Sequence, residues 1–109
     1  MTVEPPRYTL YRDLADEATM PRRGIHSQTL SDVDGIELVL FALAAGERLS
    51  EHTAARPAII HVLSGTGALT ADGDTVDAGP GTWLRMPTRM PHALVASTDL
   101  VFALYLLPA

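Results

Sequence analysis

The sequence predicts an all-β domain, an antiparallel sandwich or barrel of about eight or more short strands. Three observations predict it. Short apolar runs are cut by clusters of Gly, Pro, Asp and Ser about every 6 to 12 residues. No stretch carries a strong apolar stripe at helical spacing. Some runs are apolar at neighbouring positions, as in Ile59, Ile60, Val62 and Leu63, which leaves no polar side to face water.

In chain order, residues 1–23 read as an N-terminal arm with little regular structure, begun by an extended stretch holding Pro5 and Pro6. Arg12 to Ala18 can make one or two helical turns. Residues 24–107 read as the barrel. Ile25 to Leu30 is a strand ended by the turn-rich Ser31-Asp32-Val33-Asp34-Gly35. Ile36 to Ala44 is strongly apolar, and Ala45-Gly46-Glu47 turns. Ala58 to Leu63 is a further apolar strand, closed by Ser64-Gly65-Thr66-Gly67. Ala68 to Ala71 runs into Asp72-Gly73-Asp74, a hairpin turn because Asp-Gly accepts positive φ. Thr75 to Asp77, Thr82 to Met86, His92 to Ser97 and Leu100 to Leu107 complete the strands. Pro87 and Pro91 force a loop between the last two pairs.

Composition bounds the function. At 109 residues, 47% apolar and 19% charged, the chain is one globular domain over 1–109. A net charge of −5, with eight basic residues that are all Arg and form no long run, argues against nucleic acid and anionic membranes as partners. The absence of Cys excludes disulfides, thiolate ligands and a thiol nucleophile. The last apolar run is far short of the ~20 residues of a membrane helix, and no secretory leader opens the chain. The expected location is cytoplasmic. No Gly-x-Ser-x-Gly turn, phosphate loop or dinucleotide fingerprint occurs. The doubly apolar strands predict a homodimer whose second subunit covers the outer sheet face.

Two spaced frames carry the chemistry. The first is Gly46, five residues, His52, and then Gly65; the second is Gly81, five residues, Pro87, and then Pro91-His92. Together with the strand Ile59–Leu63 and Ser64-Gly65, they resemble the two motifs of the cupin superfamily, over roughly residues 36–106. The wording around both histidines resembles small single-domain bacterial cupins. That resemblance implies a jelly-roll barrel, a double-stranded β-helix, often dimeric, with any site inside it. It also implies four metal-ligand positions, of which this chain keeps His52 and His92. Ala54 stands at the second His position and Ala58 at the Glu position; Arg89 replaces a Gly and Ala96 an Asn.

Two imidazoles are fewer than the three or four protein ligands of most transition-metal sites. His61 is the candidate third ligand. Strand side chains alternate, so if Ala58 faces the interior, Ile60 and Val62 do too and His61 faces away, unless a bulge intervenes. His26 lies outside both frames, and Glu51 points opposite to His52 if that stretch is extended. Met86 and Met90 flank the second frame as packing residues or soft ligands for Cu(I). Candidate pocket-lining residues are Ala54, Ala58, Ile60, Trp83, Arg85 and Met86. Phe41 and Trp83 can equally be core or interface packing, and Arg85 a solvated arginine or a carboxylate clamp.

Three functions follow from these residues. One is a metal-dependent enzyme holding one divalent ion (Fe, Ni, Cu, Zn or Mn), for which the resemblance implies oxygenase- or isomerase-type chemistry on a small molecule. The second is a metal-free module that binds or senses a small-molecule ligand in the barrel. The third is a structural, partner-binding cupin with a closed barrel.

Overall fold

The computed structural model describes residues 7–109. Residues 1–6, with Pro5 and Pro6 of the expected extended stretch, lie outside them. Nine strands form: β1 (Ile25–Val33), β2 (Ile36–Leu43), β3 (Arg48–His52), β4 (Ala58–Ser64), β5 (Gly67–Ala71), β6 (Asp74–Ala78), β7 (Trp83–Met86), β8 (His92–Ala96) and β9 (Leu100–Leu106). They make a five-stranded sheet in the order β1-β2-β9-β4-β7 and a four-stranded sheet in the order β3-β8-β5-β6. Every pairing is antiparallel. Among the described residues no helix is long and apolar enough to cross a membrane.

The turn chemistry explains the hairpins. Asp34-Gly35 and Asp72-Gly73 both adopt positive φ, 58° and 78° in the first, 49° and 84° in the second. This is the geometry of a two-residue hairpin loop whose twist matches the strands. The first turn is tighter than the sequence suggests. Ser31 to Val33 continue β1 after a register shift between Thr29 and Ser31. A polar stretch is tolerated there because β1 is an edge strand.

The core lies between the sheets. Along β4, Ala58, Ile60 and Val62 are buried while the residues between them are only partly so. They pack with Leu43, Leu69, Met86, Leu94, Leu100 and Phe102, drawn from both sheets. A second cluster sits on the opposite face of the five-stranded sheet, formed by Leu38, Leu40, Ala42, Val101 and Ala103. Its cover is the chain's own arm: Tyr11, Leu14, Ala18 and Met20 pack on it. A 3-10 turn over Leu14–Glu17 is capped by Asp13, whose carboxylate accepts from the Ala15 N–H at 3.1 Å. The Tyr11 hydroxyl donates to the Leu30 carbonyl at 2.9 Å, and Gln28 Nε2 donates to the Glu17 carbonyl at 3.0 Å. Much of the apolar outer face that suggested a second subunit is therefore covered within one chain.

Arg56 ties three segments together. Its Nε donates to the Leu107 carbonyl at 2.9 Å, and its Nη2 donates to the carbonyls of Leu106 at 3.0 Å and Gly35 at 2.5 Å. The loop before β4 is thereby fixed to the end of β9 and to the β1–β2 turn.

Gly65, which closes the first spaced frame, has φ 82°. A Cβ there would collide with the backbone carbonyl of Asp99 and crowd the Leu100 Cα at 2.7 Å. Gly65→Ala is expected to destabilise the fold by more than about 2 kcal/mol, from left-handed strain plus the backbone clash. Urea unfolding checks this; a midpoint close to that of the wild type would contradict it.

Candidate functional site

Strands β3 and β8 are antiparallel neighbours, and His52 on β3 is the cross-strand partner of His92 on β8. The register shifts between Leu49 and His52. The two rings face each other with centroids 4.1 Å apart and planes tilted by 59°. The edge strand supplies an exposed His52, whereas His92, on a strand paired on both sides, is only 6% exposed.

Each ring is held the same way. His52 Nδ1 is 2.7 Å from the Ser50 carbonyl, and His92 Nδ1 is 2.9 Å from the Met90 carbonyl. A carbonyl oxygen only accepts, so each Nδ1 carries the proton and each neutral imidazole leaves Nε2 as a bare lone pair. Burial lowers the pKa of His92 below the ordinary 6.5; the hydrogen bond to Met90 opposes this, and the nearby His52 adds to the lowering.

The pair stands at a cleft between the two sheets. Leu49, Ala93 and Leu94 line it from the four-stranded sheet with the histidines, and Phe41, Ile60, Phe102 and Leu104 from the five-stranded sheet. Phe41 and Phe102 are cross-strand partners stacked at 4.7 Å with their planes 5° apart. The cleft measures about 280 Å³, part of it open to solvent. The room it leaves for a water-sized sphere is only about 20 Å³, far below the ~300 Å³ lower end of ordinary ligand sites.

The candidate residues divide sharply. His52, His92 and Ile60 come together at the cleft. Ala58 and Met86, each 1% exposed, are packed into the core. Ala54 sits in the loop after β3, and its carbonyl accepts from the Arg89 N–H at 2.8 Å. That bond joins the loops of the two frames. Arg89 holds φ 65°, a conformation that suits the Gly of the family pattern. Of the six pocket-lining candidates only Ile60 is at the cleft; the expectation is corrected for Ala54, Ala58 and Met86, which lie elsewhere, and for the remaining two. Trp83, 58% exposed, and Arg85, also exposed, alternate with the inward Leu84 and Met86 and so stand on the outer face. Arg85 is therefore no clamp within the cleft. His61 pairs across the sheet with Trp83 and with Ala103 of the outer cluster, opposite in face to Ile60, and does not join the histidine pair. Phe41 was legible as an aromatic candidate; Leu49, Leu94, Phe102 and Leu104 were not singled out. Their place in the cleft depends on cross-strand register, which no local motif encodes.

Among the described residues, no group of three or more His, Cys, Asp or Glu is arranged to hold a metal ion. The cleft offers two imidazole nitrogens and otherwise apolar side chains. This donor set falls short of a firmly held transition metal, which takes three or four protein ligands. The residues therefore do not fit a resident metal centre.

Comparison with known proteins agrees with the architecture. Residues 39–107 match the family model for the cupin domain, Cupin_2. No curated protein matches the chain. Among solved structures, a cupin superfamily protein from Desulfitobacterium hafniense is similar at 24% identity and TM-score 0.82, over 96% of this chain and 94% of that one. A conserved protein of unknown function from Streptococcus pyogenes is similar at 24% identity and TM-score 0.81, over 100% and 96%. Salicylate 1,2-dioxygenase from Pseudoaminobacter salicylatoxidans, solved as adducts with gentisate, shares the fold at 22% identity and TM-score 0.72, over 85% of this chain and 28% of the enzyme.

The depressed His92 pKa has a consequence for stability. Unfolding returns the group to about 6.5. As pH falls through that value, the unfolded chain binds more protons than the folded one, which favours unfolding. This part of the stability is fully present above pH 6.5 and is lost as pH falls towards the lower folded value. NMR titration is expected to show His92 titrating below 6.5, with urea midpoints declining as the solution is acidified past that point. A His92 that titrates above 6.5 would overturn the assignment.

Proposed function

The chain belongs to the cupin family, and within it we propose that this member binds a small molecule directly, without a resident metal. His52 and His92 are the polar anchors, and the small apolar cleft receives the end of the ligand that reaches them. The observation that carries this reading is the donor set: two imidazoles among Phe41, Leu49, Ile60, Leu94, Phe102 and Leu104, with no carboxylate. Apolar walls with few convergent polar groups are the usual makeup of a ligand site. Ala54 and Ala58, at the positions of the missing ligands, add neither charge nor donor atoms.

The test uses untagged protein treated with a chelator. A screen of small molecules is expected to find ligands that raise the melting temperature of the metal-stripped protein. Ligand at about 100 times its Kd would add roughly 2.7 kcal/mol. His92→Ala is expected to weaken such a ligand about tenfold, the worth of one hydrogen bond of ~1.4 kcal/mol. Stoichiometric metal that survives dialysis, and is lost in His52→Ala or His92→Ala, would overturn the reading.

A second reading, a loosely held divalent ion, is favoured by one feature. Both Nδ1 atoms donate to backbone carbonyls, as ligating histidines commonly do, which turns both Nε2 atoms outward. Water would have to complete such a site, and the resemblance then implies oxygenase- or isomerase-type chemistry.

We also infer a homodimer. Support comes from Trp83, 58% exposed on the edge strand β7 beside exposed Arg85, since Trp and Arg are the side chains that most often anchor interfaces. Light scattering is expected to report a dimer that Trp83→Ser weakens; a monomer at every concentration would overturn this.

A further inference from the structure

We propose that the cleft selects small molecules that donate hydrogen bonds, namely alcohols, phenols and above all adjacent diols, and disfavours carboxylates. This rests on the direct-binding reading above.

The argument begins with the two backbone carbonyls. Ser50 and Met90 each accept from an Nδ1–H, at 2.7 and 2.9 Å. The backbone thus sets the tautomer that each ring takes when neutral, and in that form Nε2 is an acceptor. Neither Nε2 has a protein partner among the hydrogen bonds of the described residues. No buried side-chain nitrogen or oxygen among those residues is left without a partner. The Nε2 of His92 is therefore not sealed in protein, although the residue is only 6% exposed. It opens on the cleft that His92 lines.

The pair then acts as one recognition unit. With ring centroids 4.1 Å apart, both lone pairs lie within the span of a single small ligand. One hydroxyl can donate to one Nε2, and an adjacent hydroxyl can donate to the other. No side chain lining the cleft is an Arg, Lys, Ser, Thr, Asn or Gln, so an anion would find a donor there only in a protonated imidazole. A carboxylate would set its lone pairs against those of the imidazoles and lose its hydration without compensation. An O–H meets an acceptor, and at the open mouth its own lone pairs stay within reach of water. Phe41, stacked on the buried Phe102, offers an apolar surface to the carbon skeleton. The cleft leaves only about 20 Å³ for a water-sized sphere, so it admits a hydroxyl-bearing end while the rest of the molecule stays at the open mouth.

The test compares four probes on chelator-treated protein at about pH 8, above the ordinary imidazole range. The probes are catechol, phenol, 1,2-dimethoxybenzene and benzoate, which keep the ring and change only the donors and charge. Affinity is read by NMR titration, with ¹⁵N shifts of the two imidazoles as a direct report on Nε2. Catechol is expected to bind best, phenol several-fold to tenfold weaker, and the capped diether and benzoate weaker again. Catechol is expected to move the Nε2 resonances of both rings, phenol chiefly one. His52→Ala is expected to bring catechol down to the level of phenol. Because His92→Ala risks the core, the wild-type ¹⁵N shifts stand as the independent measurement for that ring. Benzoate or the diether binding as tightly as catechol would overturn the donor rule while leaving direct binding intact. Tight metal uptake with no probe shifting either ring, or no probe binding at millimolar concentration, would overturn direct binding and the donor rule together.

Discussion

Strand β9 runs through the middle of the five-stranded sheet, hydrogen-bonded to β2 on one side and β4 on the other. Leu100, Val101, Phe102 and Ala103 are consecutive and all buried. A strand in this position has no solvent side, so the layers on both faces depend on its being apolar throughout. Its inner face gives Leu100 and Phe102 to the core and Leu104 to the cleft. Its outer face gives Val101 and Ala103 to the cluster under the N-terminal arm. A polar residue on either face would cost the desolvation of an unpaired group. The Arg56 bonds to the carbonyls of Leu106 and Leu107 then fix where this strand ends.

The histidine pair stands on that scaffold at one remove. The four-stranded sheet carries both imidazoles, and the five-stranded sheet supplies the opposing wall of Phe41, Ile60, Phe102 and Leu104. Neither sheet alone would make a cleft. What orients the rings is local backbone: each histidine bonds the carbonyl two residues before it. Such short-range bonds need no other side chain, and so they survive the loss of the other ligand positions. The bond from the Arg89 N–H to the Ala54 carbonyl likewise keeps the two motif loops together without a metal.

Much of this was legible in the sequence where a local rule applies. Asp34-Gly35 and Asp72-Gly73 signal hairpins because positive φ favours those residue types. Alternation along Ala58 to Val62 turns His61 away from the interior, and the burial pattern of β4 follows that alternation. The cupin motifs placed His52 and His92 together. Legibility ends where a rule needs contrast or register. In β7, Trp83, Leu84 and Met86 are all large and apolar, so the pattern does not say which face is inner. The cover on the outer face was equally hidden. Apolar residues on both sides of a strand demand burial, but they do not distinguish a second subunit from Tyr11, Leu14 and Met20 of the same chain. Leu49 and Leu104 reach the cleft from strands in different sheets, a proximity that only the assembled sandwich creates.

Alanine at two of the ligand positions that the resemblance implies, Ala54 and Ala58, does more than weaken a metal site. The resemblance implies a carboxylate at position 58, a negative charge for which a cation would be the natural complement. Ala58 is instead 1% exposed and packed with Ile60 and Met86 in the core. What remains at the mouth is two imidazoles whose Nδ1 protons are held by the backbone. The depressed pKa of His92 keeps its ring in the neutral form over a wider pH range than an exposed histidine would have. The same two residues that would begin a cation site are thereby left as a neutral pair of lone pairs in an apolar wall. On the proposed reading their chemistry is complementary to a proton on oxygen, and alanine at the acidic position then changes the kind of partner as well as the strength with which it is held.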